Sequence, residues 1–306
     1  MSKFANTFGW LLQRYVEESL RPGSRAIGDS TGYLIRAIQR APLAAIQVAE
    51  VKPVDFMDYC KARKATGVLP QTINHDITII STALKYASDM WESKEADHGI
   101  LMLKKAKGRL TQEQLIGKSV PRERRPEEDE WARVKAYYTE QAKRAMTKIP
   151  MLEICEFQVD SARRRGETCK LRWSDVDFEK RICMVRDLKN PRGKGYHDWF
   201  PLLGRAWEIV QARRTLWDGV SPAARIFPYL PGSITASWIQ MCKTLGIVGL
   251  RLHDLRREAV SRMFEQGFNV PEAAKLSLHR NPAILLRNYT ALRAEDLHRG
   301  PAAKRA

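Results

Sequence analysis

Residues 117–131, GKSVPRERRPEEDEW, hold two prolines, alternating charges and no apolar periodicity. No regular helix or strand runs comfortably through such a stretch, because each proline removes a backbone donor and restricts the residue before it. The chain therefore has to fold as two pieces. The acidic run at 127–130 suits the positive N-terminal end of a helix, which places the start of the second piece there. We read a first domain over 1–118, a linker over 119–126 and a second domain over 127–306.

The first piece reads as helices throughout. FGWLLQRYVEESL and YLIRAIQRA carry apolar residues at helical spacing, VKPVDFMDYCKAR opens on Pro-Val-Asp, and LPQTINHDITIISTALKYASDMW is one long amphipathic stretch. In the second piece, helices are expected near 127–146 and 150–160. RICMVRDL then has the β-branched, apolar character of a strand, and HDWFPLL would pair back on it across the loop KNPRGKGY. Helical segments follow at RAWEIVQARRTL, SITASWIQMCKTLG, DLRREAVSRMFEQG, PEAAKLSL and AILLRNY. The expected class is mainly α with a small β-sheet, an all-helical domain followed by an α+β domain.

With 306 residues, 44% of them hydrophobic, both pieces can bury a core. The net charge of +17 divides into +5 up to residue 118 and +12 beyond it, so both pieces could face one polyanion. Five cysteines, Cys60, Cys155, Cys169, Cys183 and Cys242, are odd in number and form no CxxC pair, which argues against a disulfide framework or a zinc site and fits a reducing cytoplasm. No apolar run approaches a membrane span, and MSKFANTFGW lacks the apolar core of a signal peptide, so neither export nor membrane insertion is expected.

Four clusters in the second piece carry residues capable of chemistry. In DSARRRGETCKLRWSDVD (160–177), Arg164 and Glu167 lie three apart, so at a helix terminus the carboxylate can brace the guanidinium. In HDLRR (253–257), His253 and Arg256 have the same spacing and present an imidazole and a guanidinium to one patch. LKNPRGKGYHDWFPLL places Lys189 at the end of one strand and Lys194 in the loop before the next. LHRNPAILLRNYTALRAEDL sets His279 before an Asn-Pro helix start and Tyr289 late in that helix. Taken singly, each has a bland reading: a solvated basic turn, a basic helix start, hairpin-tip lysines, a core tyrosine. Tyr59, Tyr86, Tyr137 and Tyr138 are read as packing residues.

In chain order, R..GE, a lysine on a hairpin, HxLRR, then a histidine and a late YT, the second piece resembles the tyrosine recombinases, the phage integrase family. The helical first piece resembles that family's core-binding domain, and RAEDL after the tyrosine is similar to integrases of phages and mobile elements. The resemblance implies a C-shaped clamp around double-stranded DNA, with no metal or ATP and no other cofactor. In that family a tyrosine attacks a DNA phosphodiester, leaving a 3′-phosphotyrosyl enzyme and a free 5′-hydroxyl, and strand exchange passes through a Holliday junction.

Carried over residue by residue, the resemblance makes Tyr289 the nucleophile and Arg164 and Arg256 the phosphate clamp, supported by Glu167. His253 would accept or relay the nucleophile's proton, and His279 would hydrogen-bond the phosphate. Lys189, or failing that Lys194, would be the general acid for the leaving 5′-oxygen. Arg163 and Arg165 are expected on other faces, touching DNA backbone or solvent, and Lys194 and Arg257 are further DNA contacts. The working state would be a homotetramer on paired sites, helped where needed by DNA-bending or directionality factors, in a bacterial host's cytoplasm at the nucleoid. The tail ALRAEDLHRGPAAKRA would reach a neighbouring subunit, and an additional N-terminal arm-binding domain is not expected.

Two departures from the family pattern stand out. Leu278 directly precedes His279 where a Leu-Gly pair is common, and the interval from His279 to Tyr289 is ten positions where nine is frequent, a difference that Asn281-Pro282 can absorb before the helix begins. Rival readings are a type IB topoisomerase, which shares nucleophile and clamp but relaxes supercoils, and a non-enzymatic DNA-binding accessory protein.

Overall fold

The computed structural model describes residues 6–21, 27–119, 122–144, 148–188, 195–215, 219 and 221–289. Its backbone separates into two compact units, Met1–Val120 and Pro121–Ala306.

The first unit is built from five helices: α1 (Phe8–Ser19), α2 (Asp29–Gln39), α3 (Pro53–Ala65), α4 (Pro70–Trp91) and α5 (Lys94–Gln112). Their ends follow local chemistry. Thr7 accepts from Trp10 N at 3.3 Å to cap α1, prolines open α3 and α4 where a missing N–H costs nothing, and Ser93 accepts from Ala96 N at 3.2 Å to cap α5. Phe8, Leu12, Ile38, Phe56, Ile77 and Leu84 are among the side chains that form one apolar core. α5 approaches α4 closely at Gly99, where a Cβ would meet Leu84 Cδ2 at 2.8 Å and Val48 Cγ1 at 3.1 Å. The first piece is all-helical, as its sequence predicts; α1 to α4 fall on the four stretches with clear apolar spacing, whereas the stretch of α5 carries a weaker signal, its apolar stripe thin among lysines and interrupted by two glycines.

The second unit opens with α6 (Glu128–Ala142) and α7 (Met151–Ser161), followed by the one-turn helix α8 (Arg165–Thr168). A three-stranded antiparallel sheet comes next, in the order β1 (Val176–Asp177), β2 (Ile182–Val185), β3 (Asp198–Pro201). β2 and β3 pair as the expected hairpin, Cys183 opposite Phe200 and Val185 opposite Asp198, and β1 adds a short edge that the sequence did not signal. Alternation along β2 puts Cys183 and Val185 inward, onto a core shared with Ile154, Phe157, Ile209, Phe227 and Trp238.

Three longer helices and two of eight residues complete the unit: α9 (Gly204–Thr215), α10 (Pro231–Leu245), α11 (Asp254–Glu265), α12 (Val270–Ser277) and α13 (Pro282–Tyr289). A smaller apolar cluster, with Ala162, Val260, Met263, Leu276 and Leu285, packs α11, α12 and α13 together. Among the described residues no helix is long and apolar enough to cross a membrane.

The arginines of the interdomain stretch are tied to the second unit. Arg125 pairs with Glu258 at 2.8 Å and Glu265 at 2.6 Å on α11, Arg122 with Asp254 at 3.1 Å, and Arg124 with Glu130. From Arg122 onward, the residues read as linker are anchored by charge to partners that, for Arg122 and Arg125, lie more than a hundred positions away.

Candidate active site

Three chain segments meet where α7 ends. Ser161 donates back to Phe157 O at 2.5 Å, and Ala162 then turns the backbone into the left-handed region (φ 54°), stopping the helix. The chain resumes in extended conformation at Arg164, the N-cap of α8, whose backbone N–H donates to Glu167 Oε2 at 3.0 Å. The same carboxylate takes Arg164 Nη1 on its other oxygen at 2.6 Å. The Arg164–Glu167 spacing thus produces a braced guanidinium whose side chain stays 43% exposed.

Glu167 is also a meeting point for two further arginines. Arg163 Nη1 lies 4.0 Å and Arg256 Nη1 3.9 Å from Glu167 Oε2. Burial pushes this carboxyl up, and the positive charges of Arg163, Arg164 and Arg256 together outweigh it, holding the group below the usual carboxylate range. An ionised acid inside a ring of guanidiniums fixes their positions while leaving the surroundings net positive.

Arg256 sits in the first turns of α11, its side chain buried. It donates through Nη1 to Ala162 O and through Nη2 to Ser277 O at 2.8 Å, and Nη2 also lies 3.0 Å from His279 Nε2. His253 is the N-cap of the same helix and is exposed; its burial on one side, with Arg256 and Arg164 nearby, lowers its pKa. His279 is buried, 2.6 Å from Ser277 Oγ, and burial together with Arg256, Arg164 and Arg163 pushes its imidazole down to about 2. With its pKa held this low by burial and three arginines, His279 is neutral near pH 7 in this site and is placed to hydrogen-bond rather than to carry charge. Leu278, the departure from the usual glycine, itself adopts the left-handed conformation (φ 53°) that ends α12 and delivers His279 to the site.

The structure brings Arg164, Glu167, Arg256, His253 and His279 into one neighbourhood. Tyr289 is the last residue of α13, the helix that follows His279 and packs on α11 and α12. Lys189 and Lys194 lie outside the described residues, as does the tail after Tyr289. The described ends of their loop are closed by Leu188 N donating to Tyr196 O at 2.9 Å. The outgoing strand is tied to α12, Lys275 to Asp198 at 2.5 Å, and Arg280 stacks over the Tyr196 ring at 4.4 Å.

One expected DNA contact is corrected. Arg163 does not face DNA or solvent: it is 1% exposed, donates to Ser161 O at 3.0 Å and Leu276 O at 2.6 Å, and stacks on Phe200 at 4.3 Å. The left-handed turn at Ala162 aims it inward, and carbonyls from two helix ends replace the water that a lone buried guanidinium would miss. Arg165 is exposed and reaches Thr235, and Arg257 is half-buried on α11. Sequence reasoning missed Ser277, whose hydroxyl contacts His279 and donates to Ala273 O at 2.5 Å; a serine before a leucine gave no signal.

Comparison with known proteins identifies the family and the fold. Residues 128–296 match the phage integrase family. The shufflon-specific DNA recombinase of Escherichia coli is 28% identical over 273 residues, which cover 87% of this chain and 64% of that protein, so the match spans less than two thirds of the relative's length. Among solved structures, the Tn1549 transposon integrase in complex with a circular intermediate DNA superposes with a TM-score of 0.70 at 14% identity, covering 96% of this chain and 98% of that one. A lambda integrase from a tetramer bound to a Holliday junction gives a TM-score of 0.65 at 16% identity, covering 89% and 74%.

Proposed function

The chain belongs to the phage integrase family of tyrosine recombinases, and from that premise we propose that it is a site-specific recombinase that cuts and rejoins duplex DNA to integrate or excise a phage or mobile element. The observation that carries the reading is the convergence of Arg164, Arg256 and His279 at the ends of α7 and α12, beside the helix that carries Tyr289.

In the proposed reaction the Tyr289 phenolic oxygen attacks the scissile phosphorus, a new P–O bond forms, and the bond to the 5′-oxygen breaks. The phenolic proton passes to His253, whose exposed and pKa-lowered imidazole suits a base. A proton from Lys189 neutralises the leaving 5′-oxygen. The 5′-hydroxyl of a second strand then attacks the phosphotyrosine, the same steps run in reverse, and no phosphodiester energy is lost. Negative charge gathers on the nonbridging oxygens at the transition state. Two guanidiniums held in advance by Glu167 meet it without reorganising, and the neutral His279 adds a hydrogen bond.

Phosphate contacts from a chain of net charge +17 would supply much of the DNA affinity, which should fall steeply with salt. A tetramer on paired sites resolving a Holliday junction is supported by the assembly in which the lambda integrase was solved.

The test uses nicked suicide duplexes drawn from the DNA flanking the gene. The protein should become covalently attached, Tyr289→Phe should bind equally well without attaching, and plasmid lacking a target site should not be relaxed. Efficient relaxation of such a plasmid would favour a topoisomerase instead.

A further inference from the structure

α7 and α12 end alike. Each stops at a left-handed residue that is not glycine, Ala162 or Leu278. The last carbonyls of a helix lack intrahelical donors and carry the negative end of its dipole. Four of them are satisfied here by two arginine side chains. Arg163 bridges Ser161 O (3.0 Å) and Leu276 O (2.6 Å), and Arg256 bridges Ala162 O and Ser277 O (2.8 Å). The two guanidiniums join the same pair of helix ends, one residue apart in register at both.

We propose that Arg163 is a positioning residue for strand cleavage: its planar fork sets the distance between the α7 and α12 ends, and so holds Arg256 and His279 where the transferring phosphate needs them. The proposal rests on the reading of Arg256 as the phosphate clamp. Arg163 itself is too deeply buried to touch DNA, and its Cζ sits over the Phe200 ring of β3 at 4.3 Å, so three elements are registered by one side chain. Its Nη1 makes no hydrogen bond and faces Glu167 Oε2 from 4.0 Å, which adds a positive charge behind the carboxylate that also faces Arg164 and Arg256. Methionine would fill the volume and supply none of these donors. Lysine would keep the charge, but a single ammonium cannot reproduce the fork.

The experiment measures single-turnover cleavage of a nicked suicide duplex whose scissile linkage is either the natural phosphodiester or a neutral methylphosphonate. Replacing a charged oxygen by methyl removes the demand for guanidinium counter-charge. Arg256→Ala is the control for the clamp reading: its loss should be large on the diester and much smaller on the methylphosphonate, and equal losses would sink that reading by itself. With the clamp reading upheld, Arg163→Met and Arg163→Lys should bind DNA normally and cleave the diester roughly 100-fold more slowly, the scale of a 1 Å misplacement. On the methylphosphonate that deficit should shrink at least tenfold, roughly, since the misplaced group is then no longer needed. Equal loss on both linkages would show a merely structural role and overturn the proposal. If Arg163→Met does not fold, Arg163→Lys decides alone, and full diester activity in it would overturn the proposal as well.

Discussion

Replacing Glu167 by glutamine keeps its volume and removes one negative charge from among three guanidiniums. Arg163 and Arg256 stand 4.0 and 3.9 Å from Oε2, and at an effective dielectric of about 20 each attraction is worth about 4 kcal/mol. Arg164, at 2.6 Å but 43% exposed, is discounted for solvent screening. Against the loss stands relief of the carboxylate's own desolvation, several kcal/mol, which leaves a net destabilisation of about 3–5 kcal/mol. For a unit of this size that is a fall of roughly 6–20 °C in melting midpoint. Denaturant unfolding followed by tryptophan fluorescence measures it directly. The double variant Arg163→Met/Glu167→Gln should lose less than the sum of its singles, because the second change removes a charge that the first left uncompensated. A single-variant loss under about 1 kcal/mol, or strict additivity, would refute the picture of Glu167 as the shared counter-charge.

Other consequences can be checked by the same kinds of measurement. Gly99→Ala should cost about 1 kcal/mol, overpacking against Leu84 and Val48 exceeding the gain in helix propensity, whereas Gly108→Ala on the same helix, with open space around it, should stabilise by about 0.5–1 kcal/mol. His279 has its folded pKa pushed down, so its contribution to stability is present above the unfolded value near 6.5 and is lost as pH falls below it. Unfolding free energy should therefore drop between pH 7 and 5, with a slope from this group of up to about 1.4 kcal/mol per pH unit, and His279→Gln should flatten that drop. Arg125→Met, which deletes both ion pairs to α11, should make the stretch around residue 125 more readily cleaved in limited proteolysis.

Features set by near neighbours were legible in the sequence. The helices α1 to α4 followed from apolar spacing and their prolines, the β2–β3 hairpin from two apolar runs around a Gly-Pro-rich loop, and the Arg164–Glu167 brace from an i, i+3 spacing at a helix start. What could not be read depended on partners far along the chain. Arg163, the first of three consecutive arginines, looked like one more solvated charge, because nothing local announces that Leu276 O and Phe200 receive it. The arginines at 122 to 125 looked like a charged linker for the same reason: the acids that hold Arg122 and Arg125 are on α11. Leu278 looked like a defect in a glycine position, yet the left-handed turn is made without glycine while its side chain is buried.

The most direct test of the central claim is to trap the protein on a nicked suicide duplex, digest it, and locate the nucleotide adduct by mass spectrometry. The account predicts a single modified peptide carrying a 3′-phosphonucleotide on Tyr289, absent from Tyr289→Phe. An adduct on any other residue, or one that persists in Tyr289→Phe, would contradict it.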